Sequence, residues 1–303
     1  MSCSLIFSRA LRLLRAAAAL AVAAAPFVCA PTATAQSAFD TGPARRLSNR
    51  EVGVILNKVR GTQIGEVCLR FVIQHVPRKS DETVTYEGTL WTGRRNNINV
   101  FRLELSPPAG DKSGKRPLRL FLKSGEDAEL WTNGGPGGAP ARADATSNKP
   151  FFEGLIFTPL ELQTPFLHWG DVSYERTARF RGRPTHFFRA VPPAAFKRAN
   201  PNINAVRFGT DKGFGDFVIL QAIVLGDGDK ELRKYEAETF TNVRGVYLPE
   251  EMRALDIASR DKDIFRVTAA AVNVNHPPGI FDPSTLNESA PQPSEARFEK
   301  LQK

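Results

Sequence analysis

The chain has 303 residues, 42% of them hydrophobic, which is enough apolar material for a substantial core and excludes a disordered or fibrous polypeptide. Lys and Arg number 41 against 32 Asp and Glu, a net charge of +9. Only three cysteines are present, two of them within the first 29 residues, so a disulfide-built scaffold is excluded.

Arg9, Arg12 and Arg15 form a basic stretch without an acidic residue, followed by an alanine-rich apolar run over 16–28 and by Ala33-Thr34-Ala35. This is the plan of a secretory signal peptide with cleavage after Ala35, and the run is short of the ~20 residues that span a bilayer. Cys29 raises a lipoprotein anchor, but it follows Val28 where such a signal wants a small residue. Export would remove three arginines and two cysteines, lowering the charge from +9 to +6 and leaving Cys68 alone, as a buried packing residue. Outside the cytoplasm, in the periplasm, a modestly basic surface meets anionic headgroups or acidic envelope proteins rather than nucleic acid.

Residues 36–46 read as an exposed leader. Ser48 and Glu51 then form a capping box ahead of Val52, Ile55, Leu56 and Val59, which share one helical face, and Gly61 ends the helix. Strands follow. Val67, Leu69, Phe71 and Ile73 alternate with Cys68, Arg70 and Gln74, giving one apolar and one largely polar face; Phe101, Leu103 and Leu105 alternate with Arg102 and Glu104, and Leu118, Leu120 and Leu122 with Arg119 and Lys123. Further strands are predicted over 83–91 and 128–131, with turns at 93–97 and 124–126. Such short spacings predict an antiparallel meander. Residues 106–116 and the glycine-rich 133–149 read as loops; no Gly-Lys-Ser/Thr follows the glycines, so a phosphate-binding loop is excluded.

Residues 151–169 are rich in aromatic and aliphatic side chains, and Thr158-Pro159 with Glu161 predicts a short capped helix within them. That much apolar bulk must pack onto a concave surface or meet an apolar partner. Strands resume over 172–180, 185–191, 217–225, 230–240, 246–258 and 264–274. Residues 287–303 read as a loose, Pro-containing tail.

Catalytic and metal signatures are sparse. None of His75, His168, His186 and His276 lies in a metal-spaced run, and Asp227 and Asp229 suit a hairpin turn better than a calcium loop. A Gly-x-Ser-x-Gly elbow is absent. The residues therefore point to a non-enzymatic protein without a cofactor. The apolar excess fills either a core or a cavity for an acyl chain, and both use the same residue types. Three functions follow from it: a carrier of an apolar chain, a structural or protein-interaction module with a filled core, or an envelope hydrolase whose carboxylates meet only on folding.

The order of elements, with Val272-Asn273-Val274-Asn275, Gly279-Ile280-Phe281-Asp282-Pro283 and the closing Phe281 and Leu286, resembles the outer-membrane lipoprotein-sorting proteins, the LolA/LolB-like group. The resemblance covers about 47–286. It implies a mainly β fold: an incomplete antiparallel barrel, a curved sheet with helices against its concave face. It also implies a cavity for a lipid or lipoprotein acyl chain, with transient membrane-surface contact. Phe71, Trp91, Phe101, Leu103, Trp131, Phe152, Phe166 and Leu167 are the expected lining.

Overall fold

A computed structural model describes residues 46–301, apart from 63–64, 113, 136–137 and 214–215. The expected signal peptide and nearly all of the leader lie outside the described residues. Helix α1 (Asn49–Gly61) starts where the capping box places it: the Ser48 hydroxyl accepts from the Glu51 amide, and the Glu51 carboxylate accepts from the Ser48 amide at 2.9 Å. Ile55, Leu56 and Val59 are its buried face.

The first meander consists of β1 (Val67–Val76), β2 (Val84–Arg95), β3 (Ile98–Leu105), β4 (Leu118–Lys123), β5 (Glu129–Thr132) and β6 (Ala141–Ala143). Helix α2 (Pro159–Gln163) and a 3-10 turn (Pro165–His168) follow. A second meander then runs through β7 (Asp171–Phe180), β8 (Arg183–Val191), helix α3 (Ala194–Ala199), β9 (Ala205–Gly213), β10 (Asp216–Leu225), β11 (Glu231–Val243), β12 (Val246–Asp256) and β13 (Lys262–Val272). The two meanders join through antiparallel pairing of β1 with β13, giving one continuous sheet in the order β6-β5-β4-β3-β2-β1-β13-β12-β11-β10-β9-β8-β7. Its edges, β6 and β7, do not pair with each other, so the barrel is incomplete.

This topology dictates what fills the sheet. Leaving β6 at one edge, the chain must reach β7 at the other, and residues 144–170 make that crossing along the concave side. Their apolar side chains pack there: Leu155, Ile156 and Phe157 against the inner residues of β1–β5, and Leu160, Phe166 and Leu167 against α1 and β8–β10. The crossing is pinned by Asp263 of β13. Its fully buried carboxylate accepts hydrogen bonds from the Ile156 and Phe157 amides at 2.6 and 3.0 Å, and sits 2.8 Å from His75 Nδ1.

Parity along the strands decides which side chains face inward. Leu69, Phe71 and Ile73 of β1, Leu90 of β2 and Phe101 and Leu103 of β3 face the concave core. Cys68 and Trp91 face outward. Gly88 lies opposite Phe71 across β1 and β2, and the Phe71 ring occupies the space a side chain there would need. Burial pushes the Cys68 thiol up to about 12, so the group is an inert apolar filler.

Two expectations are corrected. Residues 287–301 form no loose tail but run along the convex face. The indole of Trp91 donates to Pro291 O, Arg70 pairs with Glu295, and Arg102, 2% exposed, donates to Ile280 O, Thr285 Oγ1, Thr285 O and Glu288 O. Strand β14 (Glu299–Lys300) then pairs with β13 at Ala269 and Ala270, next to the point where β12 leaves β13 beyond Glu251–Arg266. Residues 133–149, expected as plain loop, add the edge strand β6, and Asn287 ties them to the C-terminal segment through Gly138 O and the Gly134 amide.

Candidate functional site

Between the sheet and the crossing segment lies a cavity of about 260 Å³. Its walls are mostly apolar: Val59 of α1, Leu160, Phe166 and Leu167 of the crossing, and Leu69, Leu90, Phe101, Val206, Val224, Leu248, Met252 and Phe265 of the sheet. Ala222 and Ala237 explain the space, because two small side chains face inward where the neighbouring strands place large ones. The nearby gap bordered by Phe71, Ile73, Leu103 and Phe157 holds only about 10 Å³, room for about one water.

The strand register gives the cavity a direction. Thr92, Asn99, Ser124, Ile219, Phe240 and Pro249 lie toward the sheet end that carries the start of β1 and the end of β2. There the cavity meets half-exposed polar groups, Arg60, Thr62 and Asn99, with His168 beside them. Arg60 Nε donates to Leu167 O at 2.6 Å, fixing the end of α1 to the crossing segment. Burial, and then the charge of Arg60, hold the His168 imidazole below its ordinary value, so it is neutral at pH 7. Thr164 between α2 and the 3-10 turn has φ +45°, left-handed backbone that is unfavourable for a β-branched residue and turns the chain sharply at the cavity wall.

The inner end is different. Glu161 caps α2 through the Thr158 amide at 2.8 Å and pairs with Arg233 of β11 at 2.7 Å, the two side chains only 4% and 12% exposed. Arg233 also donates to Asn148 at 2.7 Å. The pair is thus charge-neutral and tied into backbone structure, the condition under which a buried ion pair is tolerated. Tyr235 lies beside it, its hydroxyl 2.8 Å from the Met252 sulfur, and burial pushes the phenol well above its ordinary range.

Of the expected lining residues, Phe101, Phe166 and Leu167 border the cavity. Phe71 and Leu103 face the same concave core but border only the small closed gap. Phe152 stacks on Tyr86 at 5.4 Å and belongs to the crossing segment, which plugs the concave side. Trp91 and Trp131 are corrections. Leu90 and Leu130 occupy the inward positions of β2 and β5, so the tryptophans next to them point outward, Trp91 beneath the C-terminal segment and Trp131 against Phe121, Leu286 and Phe281. The lining from β9–β13 was not singled out in the sequence. Its signal is the inward parity of Val224, Ala222 and Ala237 along the long hairpins.

Among the described residues, no group of three His, Cys, Asp or Glu side chains is placed to hold a metal ion. Asp227 and Asp229 sit in the turn between β10 and β11, engaged by Asn204 and Arg189. No described helix is long and apolar enough to cross a membrane.

No family model matches the chain, and no curated protein matches it in sequence. Solved structures do. An outer membrane lipoprotein-sorting protein domain from Vibrio parahaemolyticus superposes with a TM-score of 0.64 at 11% identity, over 78% of this chain and 97% of that one. A DUF1329 family protein from Desulfovibrio piger gives 0.60 at 13% identity, over 78% and 96%. A LolA superfamily protein from Nitrosomonas europaea gives 0.54 at 14% identity, over 76% and 96%. The chain has the LolA-like open-barrel fold, as the resemblance in its sequence implied.

Proposed function

We propose that this protein is a non-catalytic carrier that shields an apolar chain, a lipid or lipoprotein acyl group, in the periplasm. The observation that carries this reading is the cavity of about 260 Å³, mostly apolar, left inside the concave core. A 150 Å³ apolar cavity takes up benzene, so this one accommodates about ten carbons. Burying ten methylenes at ~0.8 kcal/mol each gives about 8 kcal/mol before the cost of ordering the ligand, enough for reversible binding without chemistry. The exported location follows from the N-terminal pattern, and the fold likeness to a lipoprotein-sorting domain supports lipoprotein acyl groups as one source of the chain. A filled-core scaffold is disfavoured by the same open cavity.

Native mass spectrometry of the mature protein, with extraction of bound lipid, tests the reading. Adducts of acyl-chain mass, or uptake of added single-chain lipid at one equivalent, are expected. A protein that purifies empty and ignores added lipids sinks it.

A further inference from the structure

We propose that the cavity selects a single-chain amphiphile with an anionic head, the head seated at Arg60 beside His168 and the chain running inward toward Tyr235. The inference rests on the acyl-chain reading and adds the chemistry and orientation of the ligand.

Three observations carry it. The first is where the uncompensated charge lies. Arg60 lines the cavity, is half-exposed and makes one hydrogen bond through Nε; its two terminal amino groups have no partner among the described residues. Arg233, the other guanidinium on the wall, is neutralised by Glu161. An anion entering head-last therefore finds its complement at the mouth and none at the inner end.

The second is the polar company at that point. The His168 side chain makes no hydrogen bond among the described residues and borders the same space, while Thr62 and Asn99 complete a polar rim. A neutral imidazole donates one hydrogen bond to a carboxylate or phosphate oxygen without itself needing a counter-charge. Glu126, on the turn between β4 and β5, lies within electrostatic range of His168, but it is exposed and screened by water.

The third is capacity. At about ten carbons the cavity takes one chain, and the glycerol-linked chains of a multi-acyl lipid cannot enter together. The shared chemistry is thus one oxyanion on one chain, whether a carboxylate or a phosphate supplies it. A charge-assisted hydrogen bond from a guanidinium to such a head is among the stronger polar contacts a protein makes.

Isothermal titration of the mature protein with laurate, dodecyl phosphate, dodecanol and dodecyltrimethylammonium, each below its micellar concentration, reads the head preference directly. Both anions are expected to bind about tenfold or more tighter than dodecanol, with the cation weakest. Tighter binding of one anion identifies carboxylate or phosphate as the source. Arg60→Gln should bring the anion-to-alcohol ratio to about one, and Arg60→Lys should keep much of it. Dodecanol binding as tightly as both anions, or an unchanged ratio in Arg60→Gln with its melting temperature intact, overturns the proposal and leaves the acyl-chain reading standing. No binding of any probe, dodecanol included, removes both.

Discussion

Glu238 shows how single side chains hold the second meander together. It sits on β11 and accepts hydrogen bonds from Arg181, at the β7–β8 turn, with Arg253 of β12 3.7 Å away. The hydrogen bonds from Arg181 hold its carboxyl below the usual glutamate value. A depressed native value means that the unfolded chain takes up the proton first, so this stabilisation is present above pH 4.5 and lost as the pH falls through the native value. Arg181 is over a third exposed, so the contribution is about 0.5–1 kcal/mol. Urea denaturation of the native protein and Glu238→Gln across pH 7 to 3 should show that gap at neutral pH and its closure in acid. A gap that widens in acid contradicts the assignment. At this scale the sequence was legible where one face of a strand is polar. Leu103 sits inside as its alternation required, because its neighbours Arg102 and Glu104 are charged, and Phe71 and Phe101 follow the same strand parity although each adjoins a valine on one side. Trp91 and Trp131 were misread because each adjoins a leucine, and parity cannot rank two apolar neighbours when both faces of the sheet are covered.

Among the elements, both capping boxes were readable, since the chemistry of a helix start is local to four residues. Strand β9 and helix α3 were not. In β9, Gly209 interrupts the pattern, and only the fold reveals that the Phe187 ring from β8 fills the space above it. Helix α3 has six residues and no side-chain cap, leaving almost no pattern to read. The C-terminal segment was unreadable for another reason. Its polar, proline-bearing composition resembles disorder, but Glu288 O is one of the acceptors for Arg102, the Ala290 amide donates to Glu104, and Ala290 and Phe298 cover the outer apolar cluster. Ending the chain after Leu286 should therefore lower stability by about 3 kcal/mol, or about 6–12 °C in melting temperature for a domain of this size. Tryptophan emission should shift to the red as Trp91 meets water. An unchanged melting curve and spectrum would return the segment to the status of a loose tail.

For the molecule as a whole, folding and ligand capture are separable. The sheet is held by strand pairing and by the two packed clusters that flank the cavity, and the cavity itself contributes no contact that the fold requires. Ala222→Phe places a ring in that space from a strand whose backbone need not move. It should abolish acyl uptake while leaving stability equal or up to about 2 kcal/mol higher, the reverse of the loss that opening a void causes. Lipid adducts surviving in that variant would place the binding elsewhere. The curved sheet and its plug were foreseeable from alternation, spacing and resemblance, whereas the cavity depends on which small residues face one another across the interior, a relation between strands far apart in the chain.

The passage of residues 144–170 from one sheet edge to the other has a consequence for how such proteins diversify. In a closed barrel the interior is dimensioned by strand number and tilt, and changing it means rebuilding the wall. Here a connector occupies the interior, so capacity is a property of one linker's length and bulk. Insertions or substitutions between Asp144 and Gly170 can enlarge, narrow or redirect the pocket while every strand keeps its register, leaving cargo size free to vary on a constant frame.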